Sequence, residues 1–307
     1  MKIYHSIEEY AREGKRSDVA LGYFDGVHEG HRAVIRLCTG RDSGAVKAAL
    51  TFCESPAAAL GRETPPFLTD NEEKARLMEQ LGIEAVIFAD FASIRELSAE
   101  AFVTRVLKEK LRSRSVACGY NYRFGRGGAG DTAALTALCA SEGITASIAE
   151  PVSAGGETVS STRIRELLAE GEIARANAML GYPYAIRGTV DRGNSLGAKM
   201  GYPTVNIPMR AGRMIPRRGV YASWVTVNGM SYRGATNIGV HPSVGENDRP
   251  LCETFLIGYD GGALYGAEVV CEPERFIRPE RRFGSVDELT AQIERDVEEV
   301  KGSFHEE

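Results

Sequence analysis

The rhythm of apolar and polar positions changes once along this chain, close to residue 182. Up to about Pro151, short apolar runs alternate with segments of helical period. The runs are Val19 to Leu21, Ala45 to Phe52, Ala85 to Ala89, Ser115 to Gly119 and Ile144 to Ile148. Such alternation predicts a parallel sheet whose strands are joined by right-handed helical crossovers. Asp70 and Glu73 form a capping pair for a helix with Leu77, Met78 and Leu81 on one face, and Ser98 precedes one with Phe102, Val103, Val106 and Leu107 inward. Gly171 ends a helix, and a second short one, Glu172 to Leu180, runs into Gly181-Tyr182-Pro183, where we expect a domain boundary: 1–182 and 183–307. Beyond it the runs Arg218 to Val227 and Ser231 to Ile238 flank the hairpin signal Asn228-Gly229, and two further runs flank Asp260-Gly261-Gly262. These predict antiparallel strands forming a small barrel or sandwich. Ser285 and Glu288 then cap a closing helix with Leu289, Ile293, Val297 and Val300 on one face.

Against this scaffold, four stretches carry chemistry. In the first, Gly22-Tyr23-Phe24-Asp25-Gly26-Val27-His28-Glu29-Gly30-His31 follows a strand and opens a helix. Orphan N–H groups and the positive end of a helix dipole point out of such a turn, and Gly26 and Gly30 let an anion approach the backbone. His28 and His31 stand about one helical turn apart at its mouth, as donors for an α-phosphate under attack or merely as helix caps. In the second, Gly119 to Gly128 mixes glycines with Arg123, Arg126, Asn121 and Phe124 at a strand end, suited to a planar ring and a phosphate or to a solvated loop. In the third, Ser160-Ser161-Thr162-Arg163-Ile164-Arg165 opens a helix with arginines where acidic residues are usual, as a bound phosphate would explain. In the fourth, the loop holding Gly188, Gly193, Gly197 and Gly201 leads to Thr204 and Asn206, which strand spacing turns to one side. Such oxygen donors suit Mg²⁺, and the G-K-[ST] of a Walker A loop is absent.

Charge and cysteine usage narrow the classes. A net charge of −5 gives no whole-protein field for nucleic acid or an anionic membrane, and the arginines from Arg275 to Arg282 are interleaved with Glu272, Glu274 and Glu280, a solvated face. The six cysteines form no C-x-x-C pair, so reduced thiols and a cytoplasmic location are expected. No apolar run approaches the roughly 18 residues that span a bilayer.

Taken in order, these stretches resemble the bacterial bifunctional riboflavin kinase/FAD synthetase family over nearly the whole chain. Phe24 to His31 resembles its F-D-G-x-H-x-G-H signature, Gly119 to Gly125 its G-x-[DN]-[FY]-x-F-G loop, and Ser160 to Arg165 its S-S-T-x-I-R motif. Pro203-Thr204-Val205-Asn206 is similar to P-T-A-N, and Asn237-Ile238-Gly239 with Pro242-Ser243 to N-I-G-x-x-P-T. The resemblance implies an N-terminal Rossmann-like nucleotidyltransferase domain that adenylylates FMN to FAD, releasing pyrophosphate. It implies also a C-terminal β-barrel that phosphorylates riboflavin to FMN, both with ATP and Mg²⁺. Carried over by position, His28 and His31 would stabilise the α-phosphate transition state. Gly22, Phe24, Asp25, Gly26, Gly30, Ser161, Thr162, Arg165, Gly188, Gly193 and Gly197 would line the ATP phosphates. Asn121, Arg123, Phe124 and Arg278 would reach flavin or nucleotide, Thr204 and Asn206 would hold the metal, and Glu253 would be the kinase base.

Three motifs depart from that pattern. Ser55 stands where T-F-x-P-H-P has its histidine, Phe255 and Gly258 replace an H-x-x-D that continues the glutamate strand, and Ser243 replaces a threonine. Loss of an imidazole at Ser55 motivates a second reading, a riboflavin kinase with an impaired adenylyltransferase. A third is a non-catalytic flavin- or nucleotide-binding regulatory protein, against which the retained His28, His31 and Glu253 argue. Expected partners are small-molecule substrates, with neither nucleic acid nor membrane.

Overall fold

The computed structural model describes residues 1–191, 204–241 and 249–303 and divides into two compact units, Met1–Ser161 and Thr162–Glu307. The first is built on six parallel strands, β1 (Lys2–Tyr4), β2 (Ser17–Leu21), β3 (Val46–Phe52), β4 (Ala85–Ala89), β5 (Ser113–Gly119) and β6 (Thr145–Ala149), in the order β1-β4-β3-β2-β5-β6. Because the strands are parallel, every carboxyl end lies at one edge. β2 and β4 are buried at all five positions, β4 as a continuous apolar run covered on both faces should be, and β2 with Ser17 and Asp18 buried ahead of its apolar run Val19 to Leu21. The expected capping box on the helix Asn71–Gln80 is present, with Glu73 N–H 2.9 Å from Asp70 Oδ1. Ser98 caps the helix Ala99–Ala101, which continues with wide i→i−5 turns over Phe102–Lys110 and buries Phe102, Val103, Val106 and Leu107. Strand β1, three residues at the sheet edge, is too short to leave a periodic signal.

The second unit opens with two helices, Ser161–Glu170 and Ile173–Leu180, the latter ended by Gly181 at φ 76°. Six antiparallel strands follow the two-stranded hairpin β7 (Ser153–Ala154) and β8 (Glu157–Thr158) of the first unit: β9 (Ile186–Thr189), β10 (Thr204–Pro208), β11 (Gly219–Val227), β12 (Met230–His241), β13 (Arg249–Ile257) and β14 (Glu268–Pro279). Their order, β10-β13-β12-β11-β14-β9, nearly closes on itself, since Asp191 bridges back to Asn206 on β10. Asn228 and Gly229, at φ 51° and 76°, make the predicted hairpin turn between β11 and β12. Inside lie Val205, Ile207, Val225, Ile238 and Val269 with a cross-strand polar pair, Thr236 and Thr254, at 2.9 Å. The division after Ser161 falls earlier than residue 182. Both helices pack with the barrel, where Arg217 N–H donates to Leu168 O at 2.8 Å and the Arg217 side chain lies against Gly171.

Candidate functional site

β2 ends at Leu21 between β3 and β5, where the strand order changes direction. In an open parallel sheet this leaves a crevice at the carboxyl edge. The turn from Gly22 to His28 fills that position, with Phe24, Gly26 and Val27 at φ 57°, 84° and 35°. Two non-glycine residues in that region are strained and need support from around them. Asp25, buried, supplies it: Oδ1 accepts the backbone N–H groups of Leu68 at 2.9 Å and Thr69 at 3.2 Å, while Thr69 Oγ1 accepts from Gly26 N–H at 2.9 Å. Phe24 is buried beneath Gly22, where a Cβ would lie 3.0 Å from its ring. Phe24 and Asp25 therefore shape the cradle from below.

His28 caps the helix Glu29–Thr39, its Nδ1 accepting from His31 N–H at 3.3 Å. The neutral imidazole thus keeps its proton on Nε2. The rings of His28 and His31 stack at 3.6 Å and 14°, and Phe24 meets His31 edge-on at 5.4 Å. Gly30 permits this, because a Cβ there would approach the His28 ring to 3.2 Å. Burial holds His31 well below the usual histidine range, and the charges of His28 and Lys74 push it the same way. His31 is a neutral imidazole at pH 7, and its buried Nδ1 has no hydrogen-bond partner among the described residues. Ser161 Oγ donates to Asp25 O at 2.9 Å, tying the start of the S-S-T segment to the turn.

Sequence reasoning passed over Lys74. It is 1% exposed, and its ammonium lies 4.3 Å from the centroid of the Tyr23 ring. Burial lowers it to about 8, against the opposing pull of Asp25, Cys53 and Asp70. The signal was present: Lys74 shares helical spacing with Leu77, Met78 and Leu81, so a cation occupies the apolar stripe.

Around this cradle the other expected residues are placed unevenly. Ser55 caps the short helix Pro56–Ala59 through Ala57 N–H at 3.2 Å. After β5, Asn121 and Arg123 are exposed. Phe124 is instead a core residue, stacked on Tyr122 at 6.0 Å and pressed against Gly130, where a Cβ would come within 2.7 Å of its ring. Thr162 is exposed and Arg165 half-buried, both on the helix that opens the second unit.

In the barrel, register makes a second cluster. Glu253 on β13 sits directly between Asn206 on β10 and Asn237 on β12. Thr204, two residues before Asn206, donates its hydroxyl to Glu253 Oε1 at 2.7 Å, and Asn206 Nδ2 reaches Thr204 O at 3.3 Å. Thr254, Cys252 and Ile207 point into the barrel, so by alternation Glu253, Asn206 and Asn237 share its outer face. Gly188 supports the arrangement by close packing, since a Cβ there would lie 2.7 Å from Ile207. The Arg278 guanidinium forks onto Asp296 of the closing helix Val286–Ser303 at 2.8 and 2.7 Å. Gly193, Gly197, Pro242 and Ser243 lie outside the described residues.

Comparison with known proteins decides what the two clusters belong to. A family model described as FAD synthetase matches residues 11–163, and one described as riboflavin kinase matches residues 180–304. The bifunctional riboflavin kinase/FMN adenylyltransferase of Listeria monocytogenes is 35% identical over 291 residues, covering 93% of this chain and 92% of its own. This chain belongs to that family. Relatives of the same name from Bacillus subtilis and Escherichia coli are each 34% identical, over 97% and 95% of this chain and 94% and 93% of theirs. A solved structure from Streptococcus pneumoniae, named a macrolide-efflux protein, superposes with a TM-score of 0.84 at 29% identity over 94% of both chains. That likeness concerns the fold. Among the described residues no helix is long and apolar enough to cross a membrane.

Proposed function

We propose that the two clusters are the two active sites of a flavin-cofactor enzyme: the barrel phosphorylates riboflavin to FMN, and the turn after β2 adenylylates FMN to FAD. The observation that carries this reading is the pairing of Glu253 with Thr204 and Asn206 in one unit and of His28 with His31 at a strained, strand-end turn in the other. In the barrel, Glu253 is the base that accepts the proton of the ribityl 5′-hydroxyl, and its hydrogen bond with Thr204 holds the carboxylate in place. Thr204 and Asn206 present a hydroxyl and an amide oxygen beside that carboxylate, a donor set that fits Mg²⁺ brought in with ATP. The ion would neutralise phosphate charge there. At the turn, His28 and His31 act by positioned N–H donors, because His31 is neutral. A soluble enzyme of the cytoplasm, with riboflavin, FMN and ATP as its partners, follows from this reading.

Supplying purified protein with MgATP and either riboflavin or FMN, and separating the flavins by chromatography, tests it. Glu253→Gln is expected to lower FMN formation by about 10²-fold or more while sparing FAD formation from FMN, and His28→Ala to do the reverse. Equal loss of both activities in either variant would refute the two-site assignment. Accumulation of FMN without FAD in wild-type protein would instead favour an adenylyltransferase impaired by Ser55.

A further inference from the structure

The adenylylation step joins two polyanions. An oxygen of the FMN phosphate bonds to the α-phosphorus of ATP as the bond from that phosphorus to its bridging oxygen breaks. The electron pair leaves on pyrophosphate, so charge is conserved but gathers on the leaving group. A site for this step needs a cation, and the neutral His31 does not supply one. Nor are the arginines of the adjoining helix free for it: Glu29 lies 3.8 Å from Arg32 and 3.2 Å from Arg36.

Lys74 stands at the right edge of the sheet. It contacts Tyr23, the second residue of the turn after β2, at 4.3 Å. One helical turn earlier, Asn71 Nδ2 donates to Cys53 O at 3.1 Å, tying the helix start to the segment after β3 where Ser55 replaces the expected imidazole. Its position is costly on two counts. A buried ammonium loses hydration, and a cation in the first turn of a helix opposes the helix dipole. Asp25, Cys53 and Asp70 act on it electrostatically and offset part of that cost. A costly charge at a strand-end crevice is what a functional site retains.

We propose, resting on the adenylyltransferase reading above, that Lys74 is a cation that binds the reacting phosphates at the turn after β2, in addition to Arg165 of the S-S-T segment. It takes no proton in the step; it offsets the charge that gathers on the leaving pyrophosphate. The groups that face it are Tyr23 and Asp25 of the turn, Cys53 of the segment after β3, His31 of the helix Glu29–Thr39, and Asp70 on its own helix.

The test uses the full-length protein with Lys74→Met and Lys74→Arg, assayed for FAD formation from FMN and, on the same preparations, for FMN formation from riboflavin. The methionine variant is expected to lose about 10²-fold in kcat/KM for adenylylation, and inhibition by inorganic pyrophosphate should weaken about 10-fold. Arginine should restore most of the loss and shift the alkaline limb of the pH profile upward, since a guanidinium stays charged. FAD formation by Lys74→Met within about 3-fold of wild type would overturn the inference alone. So would a loss that arginine does not rescue and that leaves pyrophosphate inhibition unchanged, because that pattern marks a packing role. Wild-type protein that makes no FAD from FMN would overturn the adenylyltransferase reading and this inference with it.

Discussion

Removing the Lys74 charge should make the protein more stable at neutral pH while it damages adenylylation. Burial lowers this lysine from 10.5 to about 8. Each unit of such a shift corresponds to about 1.4 kcal/mol, so keeping the ammonium charged in the folded state costs about 3 kcal/mol below pH 8. The sign follows from proton counting. Between pH 8 and about 10.5 the unfolded chain binds a proton that the folded one has released, so wild-type stability rises with pH through that window. Methionine has similar length and no charge. Lys74→Met should therefore exceed wild type by up to about 3 kcal/mol at pH 7, and the difference should shrink toward zero by pH 10. Urea unfolding followed by far-UV circular dichroism reads the transition. The single tryptophan, Trp224, lies on β11 of the barrel, so its fluorescence reports unfolding of that unit. A variant less stable than wild type at pH 7, or a difference that stays constant from pH 7 to 10, would refute the electrostatic account.

Two further outcomes follow from buried ion pairs. Asp296→Ala strands the Arg278 guanidinium in a site where Asp296 is 5% exposed, so the barrel transition seen by Trp224 should lose about 3–5 kcal/mol; no loss would mean water replaces the partner. At the amino end of β2, burial would by itself raise the Asp18 carboxyl, but hydrogen bonds from Lys47, Ser115 and Ser43 outweigh it and hold the group below its ordinary value. A depressed carboxylate stabilises the fold above its unfolded pKa of about 3.9 and loses that contribution as pH falls through its folded value. Asp18→Asn should flatten the acid limb of the stability curve below about pH 4, and an unchanged limb would contradict the assignment.

How far the chain could be understood without its fold differs from one element to the next. The capping box at Asp70 and Glu73, the Asn228-Gly229 hairpin and the strand-turn-helix around His28 are written in neighbouring residues, because caps, turns and periodicity act over a few positions. Ordered motifs of the same local kind placed the chain among riboflavin kinase/FMN adenylyltransferases before any coordinates. Phe24, Asp25 and Phe124, which the motifs offer as ligand contacts, also shape the site by packing and by binding backbone N–H groups. A motif keeps a residue for either reason, and spacing does not separate them.

What tertiary structure decided lies in pairings between distant segments. Glu253 meets Asn206 only because β13 inserts between β10 and β12, and Arg278 meets Asp296 only because the closing helix returns to the barrel. Helical spacing sets Lys74 in an apolar stripe, but only packing beside Tyr23 shows the ammonium itself to be buried. Local sequence sets the conformation of each segment; the burial and charge a side chain experiences depend on segments far away in the chain, which only the assembled sheet and barrel bring together.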